Sequence, residues 1–172
     1  MLGPYKEFHA RQEVEEEEFS PAHPLGQAVE SQRRKGYNYH KLEKLIYRYI
    51  LASNRYRIVC GRWLVDGNPQ VILFDVGSAA HRMNEFKQEL FDSAGIGAPH
   101  GDVEVNDVII FGFMVAQFLA DFRVKAESFH DVPPRISAHF HEWMAGIGLV
   151  LTRLWKTEMA TLFTTHATQL GR

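Results

Sequence analysis

The stretch from Val108 to Ala120 is the longest apolar run in the chain, and it is held between Asp107 and Asp121. Left in water, such a run forfeits roughly 25 cal/mol for every Å² of apolar area. It is also well short of the roughly 20 residues that span a bilayer. The run therefore predicts a buried core helix, extended by its flanks over about Val105–Lys125, with Asp102 or Asn106 as its cap. No membrane partner is expected. A chain of 172 residues has room for one domain around such a core. A formal net charge of −2 gives no global basic field, so no nucleic-acid partner is expected either. The single cysteine, Cys60, excludes a disulfide within the chain. Together with the absence of an apolar leader in MLGPYKEFHARQ, this points to the cytoplasm.

Other segments punctuate the chain. Residues 1–36 read as irregular or marginally helical. Glu15 to Glu18 read as solvated surface, and Pro21 and Pro24 disfavour a continuous helix. Tyr37–Tyr56 predicts a helix with an apolar stripe of Leu42, Leu45, Ile46, Tyr49 and Ile50, and a basic face of Lys41, Lys44 and Arg48. Arg57–Trp63 and Gln70–Asp75 read as strands joined at Asp66-Gly67-Asn68-Pro69, a hairpin signal. Ser78 is expected to cap a helix over Ala80–Phe91, which Gly95, Gly97 and Pro99 end. After Pro133-Pro134, Ile136–Phe140 predicts a strand, Met144–Leu154 a helix and Met159–Phe163 a second strand. That order suggests a parallel α/β layer.

Two polar clusters fall at the ends of these last strands: Ala138-His139-Phe140-His141-Glu142-Trp143, and Thr164-Thr165-His166-Ala167-Thr168 leading to Gly171-Arg172. Open parallel sheets bind ligands beyond the carboxyl ends of their strands. His139 and His141 share a face of a strand. With Glu142 or His166 they could make a zinc-like set, but no second short-spaced ligand pair accompanies them. The alternative is that they are hydrogen-bonded parts of a sheet edge. Cys60 lies in an apolar strand, where an inert thiol is the default. Ser78 lacks the flanks of a nucleophile elbow. No phosphate-binding P-loop is present, and Gly95-Ile96-Gly97 lacks the setting of a dinucleotide fingerprint.

Four ordered blocks resemble the eukaryotic-type glycogen synthases of animals and fungi: GRWLVDGNPQVILFDVGS, FKQELFDSAGIGAPHGDVEVNDVIIFGF, AHFHEWMAGIGL and TLFTTHATQLGR. The opening LGPY resembles a segment just upstream in that family. The resemblance is close over residues 57–172 and loose over 1–36. Tyr37–Tyr56 has no evident counterpart and is expected to be a peripheral helical insert.

The resemblance implies an α/β fold, a partial Rossmann-like N-terminal domain of the two-domain glycosyltransferase-B type. It implies glucose transfer from UDP-glucose to the 4-hydroxyl of a glycogen chain end, with retention and without metal or cofactor. Glycogenin and further copies of the enzyme are implied as partners. Glu142 matches the acidic residue that faces the acceptor sugar, and His166 a histidine near the donor glucose. His141, Trp143 and Arg172 fall with the substrate-binding positions, Arg172 near the donor pyrophosphate. His139 is expected to be structural. In the family, the groups that hold the UDP phosphates lie in a further, nucleotide-binding domain beyond these blocks, so these 172 residues alone are expected to be inactive. The alternative is a truncated isoform that binds partners through its basic helix.

Overall fold

In the computed structural model, the structure describes residues 2–5, 14–35, 56–129 and 132–166. The chain divides into two compact units, Met1–Arg82 and Met83–Arg172.

In the first unit, among the described residues, a four-stranded sheet runs β1-β4-β3-β2. Its strands are β1 (Leu2–Tyr5), β2 (Val14–Glu16), β3 (Ile58–Trp63) and β4 (Gln70–Asp75). The expected hairpin is present: β3 and β4 pair antiparallel, with Cys60 opposite Ile72. Its turn uses Gly67 at φ 87° and Asn68 at φ 40°, left-handed values that these two residue types tolerate best. Central β4 is buried from Val71 to Asp75. Cys60 is 3% exposed, and burial pushes its thiol pKa up to about 12, so it is an inert core group.

Two expectations need correction here, and a third falls outside the described residues. The described part of residues 1–36 holds more regular structure than an irregular or marginally helical stretch: β1 pairs parallel to β4, β2 pairs antiparallel to β3, and helix α1 covers Pro24–Lys35. Pro24 begins that helix, where its missing N–H costs nothing. α1 buries Ala28, Val29 and Gln32, and Arg33 grips both Glu18 oxygens at 3.1 Å and the Ile58 carbonyl at 3.0 Å. Part of the acidic run accordingly sits in strand β2, and Glu17 pairs with Arg62. Ser78 does not cap an α-helix. A 3₁₀ segment spans Val76–Arg82, in which the Ser78 hydroxyl donates to the Asp75 carbonyl and accepts from the Arg57 N–H. The predicted helix over Tyr37–Tyr56 lies outside the described residues except for Tyr56, which is buried and accepts a hydrogen bond from Arg82.

In the second unit, α2 (Met83–Ala94) and α3 (Val103–Ser128) are followed by β5 (Ser137–His141), α4 (Glu142–Leu154) and β6 (Ala160–Thr164). Asp102 caps α3 through its side chain, which accepts from the Val105 N–H at 3.0 Å. At 26 residues, α3 is longer than the apolar run alone predicts, and by length and composition it could cross a membrane. Its apolar surface is spent on neighbours instead. Phe113 stacks on Phe86 of α2 with centroids 4.3 Å apart, and Gly112 meets Ile147 of α4. β5 and β6 pair parallel, as the strand–helix–strand pattern predicts. Arg123 near the end of α3 anchors the approach to β6, bonding the Glu158 carbonyl at 2.8 Å and its carboxylate at 3.0 Å.

The α3–α4 contact can be tested directly. A Cβ on Gly112 would lie 2.5 Å from Ile147 Cγ2 and 2.9 Å from the Gly148 backbone nitrogen, so α4 would have to move. Gly112→Ala is expected to destabilise the chain by about 1–3 kcal/mol in denaturant unfolding. Gly97→Ala, with nothing within 4 Å, is expected to stay within about 0.5 kcal/mol.

Candidate active site

The parallel ladder sets the site. It places His139 opposite Leu162, Phe140 opposite Phe163 and His141 opposite Thr164. Side chains alternate along a strand, so Phe140 turns inward at 4% exposure while His139 and His141 share the exposed face. Both strands end at the same edge, and the chain enters α4 directly after His141.

Glu142, the first residue of α4, sits at φ 59°. The left-handed region is uncommon for a side chain such as glutamate and costs on the order of 1–2 kcal/mol. One of the interactions that hold Glu142 there is to the His166 main chain, whose N–H donates to Glu142 Oε1. A carboxylate in the first turn of a helix is also favoured by the N-terminal end of the helix dipole.

The three histidines form one group. His139 and His141 ring centroids lie 3.9 Å apart, and those of His141 and His166 lie 5.1 Å apart with planes within 5°. His141 Nδ1 and His166 Nε2 face each other at 2.8 Å, and His139 Nε2 faces Thr164 Oγ1 at 2.8 Å. All three rings are exposed and Glu142 is partly so, leaving the group open to a ligand.

Of the residues singled out in the sequence, the structure therefore brings together Glu142, His166, His141 and His139. Trp143 follows Glu142 on α4 and is 50% exposed. Arg172 lies outside the described residues. Thr164 was named only as part of the second cluster, with no role, and the backbone strain at Glu142 was missed by sequence reasoning. The signal for Thr164 was its position at the end of β6, level with His141; nothing local announced the strain. Among the described residues no group of three or more His, Cys, Asp or Glu side chains is arranged to hold a metal ion. The histidine nitrogens are directed at one another and at Thr164 instead.

The His141 pKa is held below the ordinary value of 6.5, first by desolvation, then by the positive forms of His139 and His166, with Glu142 opposing. The unfolded chain then binds the proton more readily than the folded one. The contribution of His141 to stability is present above about pH 6.5 and is lost as the pH falls through its lowered folded value. A proton NMR titration is expected to show His141 with a midpoint below 6.5, moving upward in His166→Ala. A midpoint at or above 6.5 would contradict the geometry.

A family model for glycogen synthase matches residues 1–172. The chain is similar to the glycogen [starch] synthase of Caenorhabditis elegans, at 45% identity over 172 residues, all of this chain and 22% of the relative. It is similar to that of Neurospora crassa, 38% identical over 173 residues, and to the liver glycogen [starch] synthase of Rattus norvegicus, 37% identical over 174 residues. Each of these two matches spans the whole chain and 21% of the relative. The chain thus spans about a fifth of the length of these curated relatives. With a match of this extent over its whole length, the chain belongs to the glycogen synthase family.

Proposed function

We propose that the protein carrying this chain transfers glucose from UDP-glucose to the 4-hydroxyl at a glycogen chain end, with retention, in the cytoplasm. The observation that carries this reading is the junction of Glu142 and His166 at the carboxyl edge of β5 and β6. The parallel β5–α4–β6 unit supports a Rossmann-like half of a glycosyltransferase-B fold, whose ligands bind at that edge.

In this reading Glu142 orients the acceptor. A carboxylate held by a peptide N–H keeps lone pairs aimed at fixed positions, so it accepts from sugar hydroxyls and fixes the attacking oxygen. The His166 imidazole bonds a hydroxyl of the donor glucose as positive charge grows at the anomeric carbon. Trp143, half-exposed on the same helical turn as Glu142, offers an apolar face to a sugar ring. Positive groups must meet the charge on departing UDP, and Arg172 is one candidate. No metal or cofactor belongs to the proposal. Glycogenin and further copies of the enzyme are its proposed protein partners.

Glu142→Gln retains an oxygen for the His166 N–H, and His166→Ala retains that N–H, so both spare the junction while removing the chemistry. In a chain carried to the length of its relatives, each is expected to lower glucose incorporation from UDP-glucose on the order of 100-fold or more, with little change in Tm. Near-normal turnover with a lowered Tm would make both residues structural.

A further inference from the structure

Two imidazole nitrogens facing each other at hydrogen-bond distance share one proton; one donates and the other must offer a lone pair. This is the relation of His141 Nδ1 to His166 Nε2, 2.8 Å apart. Two neutral arrangements satisfy it. In one, both rings carry their proton on Nδ1. In the other, both carry it on Nε2, and His166 donates to His141. Neutral histidine side chains in water favour the Nε2–H form, so the second arrangement leaves both rings in their preferred tautomer. It also leaves Nδ1 of His166 as an acceptor.

His141 is itself held. The His139 ring lies against it with centroids 3.9 Å apart, and His139 Nε2 is 2.8 Å from the Thr164 hydroxyl. Thr164 is fixed opposite His141 by the ladder. The titratable groups that face His141 are His139 on its own strand, His166 after β6 and Glu142 at the start of α4.

We propose that His141 is a positioning residue acting through His166. Its Nδ1 lone pair keeps His166 in the Nε2–H tautomer, with Nδ1 turned to accept a hydrogen bond from a sugar hydroxyl, while the His139–Thr164 pair holds His141 in place. This rests on the glucosyl-transfer reading and refines it, because His141 then serves the sugar without touching it.

The test is long-range proton–nitrogen NMR on the ¹⁵N-labelled chain at mildly alkaline pH, with the protonation state of each ring read from its own nitrogen signals. The expected result is a protonated Nε2 and bare Nδ1 on His166, the same pattern on His141, and a slowly exchanging His166 N–H. His141→Phe keeps a ring beside His139 but removes the acceptor. It is expected to speed exchange of that N–H about tenfold, the equivalent of one ordinary hydrogen bond. His141→Asn returns an acceptor oxygen and is expected to restore slow exchange. Thr164→Val, which exchanges the hydroxyl for a methyl group, is expected to move exchange in the same direction as His141→Phe and serves should that variant fail to fold. A proton on Nδ1 of His166, or exchange indifferent to both His141→Phe and Thr164→Val, overturns the proposal.

In the chain carried to the length of its relatives, His141→Phe is expected to lower kcat about as much as His166→Ala, with no further loss in the double variant and recovery in His141→Asn. Absence of transfer by the unsubstituted protein would overturn the reaction reading, and the sugar-binding role with it. Normal transfer with unaltered His166 signals in His141→Phe would overturn the positioning role alone.

Discussion

The parallel ladder between β5 and β6 is the constraint on which the candidate site depends. His141 and His166 are 25 residues apart in sequence, and only the pairing of their strands brings their ring nitrogens face to face. A register shift of one residue would send His139 and His141 to the buried face and Phe140 to solvent. That slip is opposed by burial: Phe140 is 4% exposed and lies beside Gly148 of α4. Burying such a side chain is worth about 1.5–3 kcal/mol, more than the roughly 0.5–1.5 kcal/mol of an ordinary neutral hydrogen bond such as those among the rings and Thr164. The apolar residue between the two histidines therefore fixes where the polar ones point.

The second requirement is that α4 begin abruptly. A strand that passes into a helix within one residue must change backbone conformation at once, and Glu142 absorbs that change at φ 59°. A glycine would do so with less strain. A glutamate there is held against its own preference, in part by the His166 N–H. Strain of this kind persists where the surroundings over-determine it, and here they include the close approach of α4 to α3 at Gly112 and the Arg123 anchor on Glu158. The core helix read from Val108–Ala120 is thus linked to the site through packing as well as through the chain.

The legible parts of the fold were those specified by neighbours in sequence. Asp66-Gly67-Asn68-Pro69 announced its hairpin because left-handed backbone is a property of single residues. Asp102 was legible as one of two possible caps of α3, beside Asn106, because a cap needs only the next three residues. The strands β1 and β2 were illegible for the opposite reason. LGPY carries a glycine and a proline, and its partner is some seventy residues away: Leu2 pairs with Ile72. Pro24 did bar a continuous helix through its upstream neighbours, as read, but its fitness for the first helical position of α1 went unseen, because the two cases look alike in sequence.

For the site, the sequence by itself determined which chemical groups stand at the ends of two strands, and its blocks carried the resemblance to glycogen synthases. Only the tertiary structure decided that His166 bonds His141 through its ring and Glu142 through its main chain, and that Thr164 answers His139. The physical reason is one of range. Caps, turns and periodicity follow from dihedral preferences that a residue shares with its near neighbours. A hydrogen bond between residues 25 positions apart follows from strand register and helix packing, which the whole unit sets together.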